Sequence, residues 1–206
     1  RLESGFAHDA LIDLTGAPAI RYKLKEDKIH RLIVAREMFS FMHDAYGNTL
    51  IMSAGTHGDG PLVNELAQVG LFARHAYSIL AVVSWPPTRP HGEPADGLVL
   101  LRDPTGRKIS CSGSSSQGHQ RDWSADDPRW KDPEVIRHFK EEWARGFEDD
   151  VPFEAPPKEG TVWLPFDTFA TYFESLSLCL PRVPPGRRGT MPRKQDDAML
   201  VVENWL

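Results

Sequence analysis

The segment from residue 70 to residue 106 contains two apolar runs separated by a connection that neither run could continue into. The first run, residues 70–83, is dense in aliphatic and aromatic side chains, and the second, residues 97–102, is mostly aliphatic. Residues 84–96 between them are rich in proline and glycine, which favour a long turn over a strand. The pattern predicts two neighbouring strands of one sheet.

Each apolar run carries one side chain that could take part in chemistry. His75 lies early in the first run, and Asp103 ends the second, followed by Pro104. An imidazole held by a carboxylate or amide is the general base and its orienting partner in nucleophilic catalysis. Taken alone, a histidine in an apolar strand is more often a hydrogen-bonded core residue, so the pair needs support from the rest of the chain.

Five motifs, in order between residues 10 and 180, supply that support, because together they resemble the calpains, the intracellular papain-like cysteine proteases. Residues 74–78 (Arg-His-Ala-Tyr-Ser) are similar to the family's Gly-His-Ala-Tyr-Ser strand, and residues 103–106 (Asp-Pro-Thr-Gly) are similar to its Asn-Pro-Trp-Gly turn. The resemblance implies the second half of a calpain catalytic core, with His75 and Asp103 as its catalytic residues. The other three motifs are residues 11–16 (Leu-Ile-Asp-Leu-Thr-Gly), 122–126 (Asp-Trp-Ser-Ala-Asp) and 160–169 (Gly-Thr-Val-Trp-Leu-Pro-Phe-Asp-Thr-Phe).

Two residues depart from the family pattern at the expected site. Asp103 replaces an asparagine, but a carboxylate can accept the same hydrogen bond and favours a charged imidazole further. Thr105 replaces a tryptophan that shields this hydrogen bond from water in the family. Threonine is too small to do so, and a wetter bond should orient the ring less firmly.

The sequence does not predict a nucleophile within this chain. The resemblance places the reactive cysteine in a first catalytic subdomain, N-terminal to the part resembled here. Cys111 lies in a serine-rich stretch with no following helix to activate a thiol, and Cys179 alternates with leucines as a core residue would. We therefore expect the thiol to come from an N-terminal half or from a partner chain.

Two functions follow as alternatives. The first is a calpain-like cysteine peptidase half-domain that supplies the histidine base and its orienting carboxylate, with a polypeptide as substrate if the assembly is active. The second is a catalytically silent calpain-like scaffold or interaction module in a larger assembly. A Gly-Asp-Cys-Trp motif upstream would favour the peptidase, whereas serine, lysine or glycine in place of that cysteine would favour the scaffold.

Calcium is the one cofactor that the resemblance implies. Its acidic ligands in the family lie near the Trp-Ser-Asp turn and just before the tryptophan-containing strand. Asp126 and Glu159 fall close to those positions, but Thr161 replaces one of the acids, and calcium requires six or more oxygen ligands. The missing acid counts against calcium binding. In the simpler interpretation Asp126 caps a helix and Glu159 is solvated.

Composition limits the other classes of function. The 206 residues are 40% hydrophobic and 26% charged, as in an ordinary soluble globular protein, and the net charge is −5. No basic surface is expected, and hence no nucleic-acid partner. No apolar run is long enough to span a membrane. Two cysteines and no visible secretory leader favour a cytoplasmic (intracellular) location, and we expect the chain to be a piece of a longer polypeptide.

The predicted fold class is α+β, with a twisted, mainly antiparallel sheet and flanking helices as in the second catalytic subdomain of a calpain or papain-like protease. We expect residues 1–180 to form this domain and residues 181–206 to be a basic Pro/Gly-rich linker with a terminal strand. That strand could begin a following β-sandwich or pair back onto the domain.

Local patterns predict the individual elements. Residues 2–19 read as a loop with a short strand, and His57 reads as a solvated loop residue. Helices are predicted over residues 28–46, from Pro133 onward and over 167–173, and further strands over 49–54, 161–164 and 176–180.

Overall fold

The computed structural model describes residues 5–34, 36–48, 50–68, 70–85, 97–106, 123, 127–146, 152–154 and 160–180. Its strands are β1 (Ala19–Lys23), β2 (Ile51–Thr56), β3 (Ala76–Ser84), β4 (Gly97–Arg102), β5 (Thr161–Pro165) and β6 (Phe173–Cys179). Its helices are α1 (Ala7–Thr15), α2 (Asp27–Val34), α3 (Glu37–Gly47), α4 (Leu62–Gln68), α5 (Pro133–Gly146) and α6 (Phe166–Tyr172), with a short 3-10 turn at Pro128–Lys131.

The six strands form one sheet in the order β1-β6-β2-β3-β4-β5, and each neighbouring pair is antiparallel. The predicted α+β class with an antiparallel sheet and flanking helices is thereby confirmed. The two strands predicted from residues 70–106 are β3 and β4, which pair directly. Their pairing brings the residue before β3 and the residue after β4 to the same end of the sheet.

Helices cover both faces of the sheet. On one face, Tyr22 of β1 packs edge-on against Phe41 of α3, with ring centroids 5.6 Å apart. On the other face, Thr15 of α1 contacts Cys179 of β6, with Oγ1 3.4 Å from Sγ. Burial on both sides explains why β6 is buried almost throughout, including Ser177, rather than alternating as predicted.

Residues 7–15 form a helix, so the prediction of a loop with a short strand up to residue 19 was wrong for this part. The helix ends at Gly16, whose φ of +66° lies in the left-handed region that glycine adopts without a steric penalty. Thr15 Oγ1 donates to the carbonyl of Leu11 at 2.6 Å. The motif at residues 11–16 is therefore the end of α1 and its point of attachment to the sheet.

The single helix predicted over residues 28–46 is two helices, α2 and α3. The break falls at Arg36, which has a φ of +65°, a conformation that residues with a Cβ rarely adopt. Its guanidinium pairs with the carboxylate of Asp167 in α6. Leu32 of α2 packs against the core, and Phe39 and Met42 of α3 are buried. Their spacing of seven and three residues keeps one apolar period on both sides of the break, so the sequence pattern does not reveal it.

The helices predicted from Pro133 onward and over residues 167–173 are both present, as α5 and α6. Helix α5 begins at Pro133, and its Phe139 is fully buried. Helix α4 was not predicted. The helix expected over residues 167–173 is α6, and Phe173 belongs to β6 instead, where it stacks on Phe169 with ring centroids 4.7 Å apart. Most of the predicted 84–96 connection, the serine-rich stretch that contains Cys111 and residues 181–206 lie outside the described residues.

An aromatic cluster fixes β5, the strand at the edge of the sheet next to β4. Phe139 of α5 stacks on Trp163 of β5 with ring centroids 5.8 Å apart. The backbone N–H of Trp123 donates to the carbonyl of Trp163 at 3.2 Å, and the Arg129 guanidinium lies 4.1 Å above the Trp123 ring. The cluster matters for the site because β5 begins directly after Gly160, which contacts Asp103.

Candidate active site

His75 and Asp103 meet at the end of the sheet where β3 begins and β4 ends. His75 immediately precedes β3, and Asp103 immediately follows β4. Nε2 of His75 lies 3.0 Å from Oδ1 of Asp103. The His75 side chain is 22% exposed, whereas Asp103 is fully buried. The structure therefore brings the two predicted residues into hydrogen-bonding contact.

The Asp103 carboxylate is held by the turn that follows it. Its Oδ1 accepts hydrogen bonds from the backbone N–H and from the hydroxyl of Thr105, both at 2.8 Å. The backbone N–H of Asp103 donates to the carbonyl of Gly160 at 3.0 Å, and Gly160 has a φ of +81°. The turn thus fixes both the main chain and the side chain of Asp103.

The same contacts keep the carboxyl ionised. Burial by itself raises the pKa of Asp103, but the backbone N–H of Thr105, the His75 ring and the Thr105 hydroxyl outweigh it. The net effect is a pKa below the ordinary value. An ionised carboxylate can only accept hydrogen bonds, so the ring nitrogen that faces Oδ1 must be the donor. Sequence reasoning treated Thr105 only as a lost shield and missed this role.

The backbone of His75 is fixed by Thr56, the last residue of β2. The N–H of Thr56 donates to the carbonyl of His75 at 3.0 Å, and the N–H of His75 donates to the Thr56 hydroxyl at 3.1 Å. The His75 ring packs edge-on against Phe72 and Tyr77, with centroids 5.7 and 4.9 Å away. Thr56 was not predicted to contribute, because its contact with His75 depends on the pairing of two strands.

One ring nitrogen of His75 is left available. Nε2 faces Asp103, and within the part of the chain that the structure describes no group is placed to hydrogen-bond Nδ1. With Nε2 as the donor, Nδ1 carries the lone pair. A proton could therefore be accepted at Nδ1 by a group that approaches from outside the described residues.

The residue before His75 has an unusual backbone conformation. Arg74 has a φ of +51°, at a position where the resembled motif has glycine. Its backbone N–H donates to the carbonyl of His57 at 3.1 Å, and Nε donates to the carbonyl of Gly58 at 3.0 Å. Its guanidinium also pairs with the carboxylate of Asp59. These contacts offset the cost of the left-handed conformation at a non-glycine residue.

Cys179 cannot serve as the nucleophile for His75. It is fully buried, and β2 pairs Ile51 with Cys179 but Thr56 with Phe173. Residues 51 and 56 are roughly 16 Å apart at about 3.3 Å per strand residue. The prediction that Cys179 is a core residue agrees with this position, whereas Cys111 lies outside the described residues.

The prediction that His57 is solvated was wrong. Its side chain is only 14% exposed, and Nδ1 lies 3.8 Å from Oε2 of Glu174. Burial lowers the pKa of His57, and the charge of Lys25 lowers it further, against the opposing effect of Glu174. A loop rich in glycine suggested exposure, but the fold places the ring beside Glu174 of β6.

The structure describes one of the three positions considered for calcium. Thr161 is the first residue of β5, whereas Asp126 and Glu159 lie outside the described residues. Within the described ranges no three histidine, cysteine, aspartate or glutamate side chains are grouped as metal ligands.

A second histidine–carboxylate pair was missed altogether. His43 of α3 places Nε2 2.6 Å from Oε2 of Glu142 in α5. The same oxygen accepts hydrogen bonds from the backbone N–H and the hydroxyl of Ser84, both at 3.1 Å. His43 and Glu142 are separated by 99 residues, and no local pattern connects them.

The fold and the first pair define a class of domain: an α+β layer structure that holds an imidazole against a carboxylate at one end of its sheet, with one ring nitrogen unpaired among the described residues. Comparison with known proteins agrees with that description. The sequence model of the calpain family cysteine proteases matches residues 1–180. The chain belongs to the calpain family.

Individual relatives are distant in sequence. The chain is 23% identical over 182 residues to the calpain-type cysteine protease DEK1 of Arabidopsis thaliana and 25% identical over 193 residues to calpain-5 of Caenorhabditis elegans. It is 22% identical over 180 residues to the DEK1 protein of Zea mays. Each match covers 86% of this chain, but only 7%, 27% and 7% of the respective relatives. The chain therefore corresponds to a small part of these proteins.

The helices of the described residues include none that combines the length and apolar character needed to cross a bilayer.

Proposed function

We propose that this chain is the histidine-bearing half of a calpain-like cysteine peptidase core, with His75 as the general base and Asp103 as its orienting carboxylate. The 3.0 Å contact between His75 Nε2 and Asp103 Oδ1, which leaves Nδ1 available, carries the proposal. The thiol comes from another part of the complete polypeptide or from a partner chain, and the substrate is a polypeptide.

The chemistry proceeds by proton transfer through Nδ1. Nδ1 takes the proton of the incoming thiol, and the thiolate attacks the carbonyl carbon of the scissile peptide bond. The imidazolium then returns the proton to the leaving amine as the C–N bond breaks. Water, deprotonated by the same nitrogen, hydrolyses the resulting thioester and releases the acid. Throughout, Asp103 accepts the Nε2 hydrogen bond and stabilises the charged ring.

The proposal extends to the organisation of the polypeptide. Residues 1–180 would form the catalytic subdomain, and residues 181–206 would link it to a following module. The low coverage of the relatives supports placement within a larger polypeptide. A cytoplasmic location belongs to the same proposal, since a thiol–imidazole pair requires a reduced cysteine.

The test is covalent labelling of the complete polypeptide by a thiol-reactive peptide inhibitor, with and without calcium. Labelling should occur in the parent protein and be lost in His75→Ala. The matched control is His30→Ala, which removes an exposed histidine of α2 and should label normally. Labelling that persists in His75→Ala would reject the assignment of His75.

A catalytically silent scaffold is the second candidate, and two observations favour it. The one cysteine among the described residues is buried away from His75, and both Asp103 and Thr105 depart from the family motif. A scaffold would show no labelling in the folded parent protein. It would also keep its assembly and thermal stability in His75→Ala, and loss of the assembly in that variant would count against it. The residue at the nucleophile position of the complete polypeptide discriminates most directly.

A further inference from the structure

Thr105 commits both of its donors to a single oxygen of Asp103. The hydroxyl and the backbone N–H each lie 2.8 Å from Oδ1, the same oxygen that faces Nε2 of His75. The other carboxylate oxygen, Oδ2, is buried and has no hydrogen-bond partner within the part of the chain that the structure describes. The two oxygens of this carboxylate are therefore in very different environments, although they are chemically equivalent in a free aspartate.

This asymmetry restricts the rotation of the carboxylate. The terminal torsion of an aspartate side chain is broad, so the plane of the carboxylate could otherwise take a range of angles to the ring. A partial rotation would break the alignment of the three hydrogen bonds that converge on one oxygen. Thr105 thus fixes the angle at which the carboxylate meets the His75 ring.

Thr105 is an exposed residue, so its hydroxyl could hydrogen-bond to water. The hydroxyl points instead at the fully buried carboxylate of Asp103. Its hydroxyl also helps to keep Asp103 ionised, as described above. A protonated Asp103 could donate to Nε2 and so invert the ring tautomer, whereas an ionised one can only accept.

We propose that Thr105 is a positioning residue that holds Asp103 so that the His75 ring keeps its proton on Nε2 and its lone pair on Nδ1. This inference rests on the proposed function of His75. It assigns to the threonine a task that a shielding indole performs by excluding water in the resembled motif. Here two donors orient the carboxylate directly.

The test is nuclear magnetic resonance of the 206-residue chain with labelled histidine and aspartate, near pH 7.5. Thr105→Val removes the hydroxyl and keeps the side-chain shape, and Thr105→Ser restores the hydroxyl. In the parent chain the His75 ring nitrogens should report a proton on Nε2. In Thr105→Val the share of rings protonated on Nδ1 should rise at least about threefold, as expected for the loss of one hydrogen bond. The Asp103 carboxyl should also titrate at a higher pH. Thr105→Ser should match the parent chain in both measurements.

The outcomes separate this inference from the proposed function. If Thr105→Val leaves both the His75 tautomer and the Asp103 titration unchanged, the role of Thr105 is rejected while the His75–Asp103 pair stands. If Asp103→Ala leaves the His75 ring resonances unchanged, the pair itself is absent and the proposed function fails. Backbone resonances of each variant establish that it is folded, and Thr105→Ala, which also lacks the hydroxyl, replaces Thr105→Val if the valine perturbs the turn.

Discussion

The two ends of strand β3 carry histidine–carboxylate pairs with the same set of donors. At its start, Asp103 Oδ1 accepts from His75, from a threonine hydroxyl and from that threonine's backbone N–H. At its end, Glu142 Oε2 accepts from His43, from the Ser84 hydroxyl and from the Ser84 backbone N–H. The exposed fractions of the histidine side chains are also similar, at 22% for His75 and 17% for His43.

The pairs differ in whether the second ring nitrogen of the histidine is covered by another group. The guanidinium of Arg145 in α5 lies against the His43 ring, with Nη1 3.0 Å from Nδ1, closer still to Nε2, and 3.5 Å from Glu142 Oε2. Both nitrogens of the His43 ring are therefore covered. Nδ1 of His75 has no partner among the residues described. The His43 pair joins α3, α5 and the end of β3, whereas the His75 pair lies between two strand ends and a turn. A carboxylate-held histidine becomes a candidate base only where its second nitrogen faces a space that a reactant could enter.

The largest expected difference between the two ends of β3 is in the rate of labelling by a thiol-reactive inhibitor. In the complete polypeptide, His75→Ala should reduce the rate of labelling by a thiol-reactive peptide inhibitor at least about 100-fold, because it removes the general base that we propose. His43→Ala should stay within about threefold of the parent rate after correction for the folded fraction. Equal losses in the two variants would show that the distinction drawn from the ring nitrogens is wrong.

The next expected effect is on the stability that the pair at the end of β3 contributes. Glu142→Ala should lower the free energy of unfolding by about 2 kcal/mol, since it leaves the Ser84 N–H and the His43–Arg145 contact without their shared acceptor. Urea denaturation of the 206-residue chain measures this loss. Glu141→Ala is the matched control, because Glu141 is exposed on the same helix and makes only an exposed pair with Arg137. A similar loss in both variants would contradict the role assigned to Glu142.

The pH dependence of the free energy of unfolding should also depend on the Glu142 carboxylate. Burial raises the pKa of Glu142, but the hydrogen bonds from His43 and Ser84 and the charges of His43 and Arg145 lower it to about 2. A carboxyl whose folded pKa is depressed stabilises the fold above its ordinary pKa, and this contribution is lost as the pH falls toward 2. The free energy of unfolding should therefore fall more steeply between about pH 5 and pH 2 in the parent chain than in Glu142→Gln. Parallel curves would indicate that Glu142 is not the group responsible.

Sequence patterns could predict the first pair because its geometry depends on neighbouring strands. Two apolar runs and the turn residues between them specify β3 and β4, and antiparallel pairing then brings His75 close to Asp103. The family motifs added the expected roles. Nothing in those patterns could show that the Thr105 hydroxyl bonds Asp103, because the contact depends on the conformation of the turn.

The features that were missed depend on tertiary contacts or on unusual backbone conformations. The break between α2 and α3 lies at Arg36, whose left-handed backbone is not suggested by an arginine within an amphipathic period. His57 lies beside Glu174 of β6, which is far from it in sequence. The His43–Glu142 pair joins two helices that are far apart in sequence, and each residue alone reads as an ordinary polar side chain.

The smallest expected effect comes from Ser84→Ala, which removes one of the three donors to Glu142 Oε2. The backbone N–H of residue 84 and His43 remain, so the carboxylate keeps two donors and the loss should be about 0.5–1 kcal/mol in the free energy of unfolding. Its counterpart at the other end, Thr105→Val, also removes one hydroxyl from a carboxylate, but there the ring tautomer should change. Ser84→Ala should leave the His43 ring unaltered, because Glu142 still faces Nε2 and Arg145 still lies against the ring. A tautomer change at His43 on loss of the Ser84 hydroxyl would mean that the two ends of β3 behave alike, and that the partners of Nδ1 do not separate a base from a structural contact.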